Sequence, residues 1–225
     1  MARYLEKRRR PVIPKTHTLS RKTMKAFPEL GMMLNDEIGL CTCAALAHME
    51  QTWSTYGGEP RRPTDDQILE AYRRINGGVD EGAAMLDALK MARRDGIGGN
   101  RIYAFVAIDP QNHDQVRTAA FLFGGLYVGL MLPRSAQFQD VWEVSEGNGS
   151  EPNSWGGHAA SVVDYSPKGL TIVTWGGLQR LSWEFFSRYC DEAFCLLEED
   201  YVGSDNRSPQ GFSLNKLAKD LEGLS

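Results

Sequence analysis

Four cysteines and four histidines carry most of the nucleophilic and proton-transfer chemistry that this sequence offers. Two cysteines, Cys41 and Cys43, sit one residue apart in "LNDEIGLCTCAALAHMEQTW", just after Gly39 and at the head of a segment rich in good helix formers. A cysteine attacks as its thiolate, and a helix N-terminus favours that anion through its dipole and free N–H groups. The thiolate also needs a base, normally histidine, within hydrogen-bond reach. His48 lies seven residues beyond Cys41, about 10.5 Å along the axis of a helix, and cannot reach back. His17 falls in a basic N-terminal stretch, and His113 follows "DPQN" in a turn. His158 opens a β-like segment behind "NSWGG", where it could face the helix that carries the nucleophile across a cleft.

Other uses of the cysteines fit less well. Zinc sites favour C-x2-4-C pairs joined by a second pair or by histidines. The spacings here are C-x-C and C-x4-C (Cys190, Cys195), far apart in the chain, so no metal site is expected. A Cys41–Cys43 bridge would strain disulfide geometry at a helix start. Cys190 and Cys195 read as small buried hydrophobes, and so does Cys43 where it is not the nucleophile. No phosphate-binding glycine loop, G-x-S-x-G elbow or H-E-x-x-H helix is present, and no cofactor is expected.

The elements that must position these groups follow from periodicity. A helix is expected from about residue 39–41 to 53, a second over 64–75 behind a capping threonine, and a third over 80–96 closed by Gly96. Strand character begins at "RIYAFVAID" (101–109). A short helix (112–124) and a buried strand (126–133) follow, then strands over 157–166, 169–176 and 192–199, with a helical turn over 182–190. Helices come first and strands second. That order predicts an α+β fold whose helical half faces an antiparallel, partly closed sheet, with a body spanning residues 28–205.

Composition sets further bounds. The 225 residues suffice for one sizeable core, with 42% hydrophobic and 24% charged residues. Residues 1–25 hold nine Lys/Arg against one acid, which leaves 16 basic and 28 acidic residues, a net of −12, in the remainder. Residues 1–27 therefore read as a basic arm ahead of an acidic body. The tail, residues 206–225, places Leu214, Leu217, Leu221 and Leu224 on one helical face. Arm and tail are the expected contacts for protein partners. Specific nucleic-acid binding is not expected without aromatic interleaving in the arm. No apolar run is long enough for a membrane helix, and the N-terminus lacks the apolar core of a secretory signal. The expected setting is a reducing one, the cytoplasm of a host or a virion.

The blocks "NDEIGLCTCAALA", "GHAASVVDY" and "TIVTWG" resemble the three conserved segments of papain-like cysteine peptidases, and most of all the divergent papain-like proteins encoded by bacteriophages and prophages. The resemblance implies a papain-like fold with Cys41 as nucleophile and His158 as base. Asn35, six residues before Cys41, then takes the oxyanion-stabilising amide position, and Gly39 the glycine position. It also implies a departure. An ungapped match puts Val173, which cannot hydrogen-bond an imidazole, where such enzymes carry an orienting asparagine. Thr174 could serve only with a shift of one residue, which turns its side chain to the other sheet face. Alignment on Cys43 instead would put Glu37 at the oxyanion position, where a carboxylate repels developing charge.

Two readings follow. One is a phage-associated cysteine hydrolase cutting peptide or related amide bonds. The other is an idle papain-like fold serving as a structural or adaptor component of a phage particle. Trp175 is expected to pack beside the histidine strand, and Trp142 and Trp155 to flank a Gly/Asn/Ser-rich loop (145–157) at the cleft.

Overall fold

The structure is a computed structural model, and it describes residues 12–202 and 206–216. At its centre is an eight-stranded sheet. The strands are β1 (His17–Thr18), β2 (Ile102–Ala107), β3 (Leu126–Leu132), β4 (Val141–Trp142), β5 (Gly156–Ser166), β6 (Gly169–Thr174), β7 (Gly177–Ser182) and β8 (Cys190–Glu198). They run in the order β2-β8-β3-β5-β6-β7-β4, with β1 added to β5. Every pairing is antiparallel except the short parallel contact of β4 with β7. The fold is α+β, as the order of helical and strand segments predicts, but the sheet is open rather than partly closed, ending at β2 and β4.

Period-two alternation in the strands feeds two cores on opposite faces of the sheet. In β8, Ala193, Cys195 and Leu197 join one core with α5 (His113–Phe123) and α6 (Trp183–Tyr189). Phe194 and Leu196 join the other. That second core is shared with α2 (Cys41–Gly57), α3 (Asp65–Asn76) and α4 (Met85–Arg94). Helix α2 is buried from Thr42 through Thr55, so it is a core helix rather than an amphipathic surface one. Ala44, Ala45 and Ala47 keep its girth small, and Trp53 Nε1 ties it to the Phe123 carbonyl at 3.1 Å.

Three expectations shift. Residues 17–26 do not behave as a free arm: β1 pairs with Tyr165 and Asp164, and α1 (Ser20–Ala26) follows it directly. Asp164 fixes this entry, accepting from Leu19 N, Ser20 N and Ser20 Oγ at 2.6–2.9 Å. Helix α4 starts at Met85, not residue 80, because residue 80 is occupied otherwise. Asp80 Oδ1 accepts from Tyr72 Oη at 2.8 Å and from Gly39 N at 3.0 Å, while Gly82 N donates to Tyr72 Oη. Strand β7 was not foreseen, since "GLQRLS" has few apolar residues and leaves Leu178 exposed. Thr64 does cap α3, reciprocally with Gln67, as expected.

Among the described residues, no helix is long and apolar enough to cross a membrane. Phe212 packs on Phe123 with ring centroids 4.7 Å apart. Residues 1–11 of the basic arm, and Leu217, Leu221 and Leu224 of the leucine-striped tail, lie outside the described residues.

Candidate active site

The first turn of α2 and the first residues of β5 meet at a cleft of about 670 Å³. Cys41 is the first residue of α2, and Leu40 before it offers no capping side chain. Uncapped N–H groups at a helix start point at whatever lies beyond the turn. Here that is the Cys41 sulfur, approached by the N–H groups of Cys41 and Thr42 and, from β5, by Ala159 N at 3.4 Å. All three favour a thiolate, but burial outweighs them and holds the thiol above its ordinary value. From below, the buried Tyr127 Oη donates to the Thr42 carbonyl at 3.1 Å, fixing the first turn against β3.

Cys41 and Cys43 part ways geometrically. Two residues along a helix rotate by about 200°, so while Cys41 borders the cleft, Cys43 faces the core. Cys43 is fully buried, and burial pushes its thiol up to about 12. Cys190 and Cys195 are buried as well, and all four thiols are free.

Three histidines lie elsewhere. The His17 ring packs between Phe121 and Tyr165. His48 Nδ1 pairs with Gln51 Oε1 within α2 at 2.8 Å, and His113 Nε2 with Ser187 Oγ at 2.7 Å. His158 lines the same cleft as Cys41, adjacent in sequence to the Ala159 that donates to the thiol.

The His158 ring is held by residues of the β6–β7 hairpin. Nε2 lies 2.6 Å from Thr174 Oγ1. Val173, the residue of the ungapped match, faces away and packs with Leu19, Leu30 and Val163. The register explains the exchange. Ser161 opposes Val173, so Thr174 shares a face with Ala160, Val162 and, diagonally, His158. Thr174, and not Val173, is thus the residue whose side chain meets the imidazole. Thr174 pairs with Gly177 across a two-residue turn in which Trp175 and Gly176 have φ of 44° and 71°. Positive φ at both central positions is the twist a tight hairpin needs, and it is costly for tryptophan. The turn lays Trp175 flat on His158, centroids 4.2 Å apart and planes 18° apart. Trp155 stacks behind it at 5.1 Å, and Trp142 meets both edge-on. The expected packing of Trp175 beside the histidine strand is present. Trp155 and Trp142 pack behind Trp175, and of the Gly/Asn/Ser-rich loop Gly157 lines the cleft.

This apolar cover has an electrostatic effect. Burial lowers the His158 imidazole to about 4, so the ring is neutral at pH 7. With Nε2 engaged by the Thr174 hydroxyl, Nδ1 is the nitrogen left to exchange a proton with the cleft.

Asn35 and Gly39 belong to the approach to α2. Asn35 lies partly exposed in the turn over residues 33–37, its N–H donating to the Met32 carbonyl at 3.2 Å. The cleft lining begins at Gly39 and does not include Asn35. A side chain at Gly39 would meet Asp80 Oδ1 at 3.0 Å, so the residue is small where the α3–α4 connection is pinned to the approach to α2. Among the described residues, no cluster of three or more His, Cys, Asp or Glu side chains could hold a metal ion.

No family model matches the sequence, and no curated protein sequence is significantly similar to it. Solved structures are similar. Xylellain, a cysteine protease from Xylella fastidiosa, superposes with a TM-score of 0.64 at 17% identity, over 84% of this chain and 87% of that one. This is a papain-like fold. The Carica candamarcensis cysteine protease CMS1MS2 matches with a TM-score of 0.58 at 14% identity, covering 83% of this chain and 100% of its own. Procathepsin B S9 from Trypanosoma congolense matches at 0.59 and 13%, over 86% and 80%. The papain-like body thus spans most of the chain, and at these identities it is the architecture that is shared.

Proposed function

We propose that the protein is a cysteine hydrolase acting on peptide or related amide bonds, with Cys41 as nucleophile and His158 as base. One observation carries the reading: a partly exposed thiol at a helix start shares a cleft with an imidazole whose far nitrogen is held by a buried hydroxyl. His158 Nδ1 takes the Cys41 proton, and Sγ attacks the carbonyl carbon to form a tetrahedral oxyanion. The N–H groups at the head of α2 are donors suited to that charge, and Asn35 is the side chain proposed to add to them. Collapse breaks the C–N bond, with the amine leaving on the proton that His158 returns. Water, deprotonated by His158, then hydrolyses the thioester.

Because both groups rest neutral at pH 7, the pair is a thiol beside an imidazole until substrate approaches. Thr174 serves as the orienting group: its hydroxyl accepts from Nε2–H and keeps the tautomer that leaves Nδ1 free to act as base. The phage-like character of the "NDEIGLCTCAALA" block supports a place in a phage or prophage.

The test is hydrolysis of labelled casein by the wild type, Cys41→Ala and His158→Ala. Cleavage lost in both variants, with melting temperatures kept, is the expected result. No cleavage by the wild type, together with a Cys41 alkylation rate that His158→Ala leaves unchanged, would leave an idle fold with a binding role.

A further inference from the structure

The strained turn at Trp175–Gly176 does not stand free. Gly176 pairs with Gly31 in an isolated antiparallel bridge, so the tip of the β6–β7 hairpin rests on the segment that leads toward α2. The fit leaves no room for a side chain. A Cβ on Gly176 would lie 3.1 Å from the Gly31 carbonyl carbon, the Gly31 oxygen and Met32 N. All three are backbone atoms, which cannot swing aside as the end of a long side chain can. A tryptophan at φ 44° persists only where its surroundings over-determine it, and this contact is one of those constraints.

The segment beneath the turn is fastened on its other side. Gln51, fully buried in the middle of α2, donates from Nε2 to the Leu30 carbonyl at 2.9 Å, and its Oε1 pairs with His48 Nδ1 at 2.8 Å. Arg62 Nη1 donates to the Glu29 carbonyl at 3.3 Å. The Leu30 side chain is buried against Val163 and Val173, and Met33 is buried in the core that α2 shares. A strap anchored at so many points yields less readily than a two-residue turn at a hairpin tip. Crowding at Gly176 therefore displaces the turn, and with it Trp175 and Thr174.

Resting on the hydrolase reading for the role of His158, we propose that Gly176 is a positioning residue: it seats the Trp175–Gly176 turn on the Leu30–Gly31 strap, which Gln51 ties to the nucleophile helix, and so sets the pose and tautomer of the His158 ring. The contacts run from α2 through Gln51, Leu30 and Gly31 to the hairpin and the imidazole. The two walls are thereby held in register by residues that line no part of the cleft.

The test compares Gly176→Asn with Gly77→Asn. Asparagine tolerates positive φ, and both glycines have it, at 71° and 67°, but nothing lies within 4 Å of a Cβ on Gly77, the C-cap of α3. The comparison separates crowding from torsion. At pH 7 the NMR shifts of the His158 ring nitrogens, assigned through His158→Ala, report the tautomer without any turnover. Wild type and Gly77→Asn should show one neutral form protonated on Nε2, and Gly176→Asn a mixture of the two tautomers. On a peptide that the wild type cleaves, Gly176→Asn should lower kcat about 10-fold or more with KM within about 2-fold. Gln51→Met frees the strap from α2 and leaves the turn uncrowded. It should shift the ring in the same direction by less, and it carries the test should Gly176→Asn fail to fold. An unchanged tautomer in Gly176→Asn would overturn the proposal, as would an unmoved ring in Gln51→Met or the same mixture in Gly77→Asn. If the wild type cleaves nothing while the tautomer still depends on Gly176, the hydrolase reading fails and the seating stands. Wild-type cleavage rates in Gly176→Asn with an unmoved ring would sink the seating alone.

Discussion

The two walls of the cleft hold their reactive groups by different means. On the helical wall Cys41 is positioned by backbone: the uncapped start of α2, the Ala159 N–H from β5 and the Tyr127 hydrogen bond to the turn beneath. On the sheet wall His158 is positioned by side chains, with Thr174 on its edge and Trp175 on its face. A backbone-built position depends on where a helix begins and tolerates changes in neighbouring side chains. A side-chain-built one depends on a single hydroxyl and a single ring. The sheet wall should therefore be the easier to detune by substitution.

The largest expected effect is common to both walls. Cys41→Ala and His158→Ala each remove a group on which the proposed reaction depends, and hydrolysis should fall to background in a casein assay. Cys43→Ala serves as the control from the same helical turn. It should cost about 1 kcal/mol or more of stability through a lost core contact, seen as a lower denaturation midpoint, and leave hydrolysis in place.

Next come the two supporting groups, one from each wall. Asn35→Ala should lower kcat on the order of 10²-fold if its amide reaches the oxyanion; a change under 2-fold would assign that role to backbone alone. Thr174→Val keeps the shape of the residue and deletes the hydroxyl, so activity should drop about 10- to 100-fold through a buried imidazole nitrogen left unpaired. Thr174→Ser should recover most of it. Equal activity in Thr174→Val would remove the asymmetry between the walls.

The smallest effects are on stability and its dependence on pH. His48 and His158 are both buried neutral, lowered to about 4 mainly by desolvation. The unfolded chain gains those protons near pH 6.5 and the native state does not. Their contribution is therefore complete above about 6.5 and falls as pH drops toward 4, by up to about 1.4 kcal/mol per pH unit per histidine. Glu50 on the nucleophile helix acts with the opposite sign. Burial, only partly opposed by Arg61, raises its carboxyl to about 8, so native protein holds a proton that the unfolded chain loses above about 4.5. Stability from this group is lost as pH rises through about 8. Urea midpoints at pH 5, 6.5 and 8 should show the wild type weakening at the alkaline end and Glu50→Gln doing so less.

Much of the helical wall was legible in the sequence, because Gly39, Cys41 and the alanine-rich run that follows lie within a dozen residues. Helix starts are local events. The sheet wall was legible only in part. His158 was identified by its place at a strand opening, but its partner depends on how β5 and β6 pair, and the ungapped match pointed to Val173. The pairing of Ser161 with Val173 and the tight turn at Trp175–Gly176 turn Thr174 inward. Neither is encoded in one short segment. Strand β7 and the docking of residues 17–26 were missed for the same reason, since each is stabilised by contacts made far away in sequence, Asp164 above all. Tyr127 left no signal, being one more apolar residue in a buried strand.

The central claim is that Cys41 and His158 work as a pair with Thr174 setting the ring. Its most direct test is the rate of Cys41 alkylation by iodoacetamide at pH 7, followed by mass spectrometry of the Cys41 peptide. The account predicts measurable labelling of Cys41, almost none of the buried Cys43, a drop of about 10-fold or more in His158→Ala, and an intermediate rate in Thr174→Val. Cys41 labelling at the same rate in wild type and His158→Ala would contradict it, since the thiol would then be reacting without help from the imidazole.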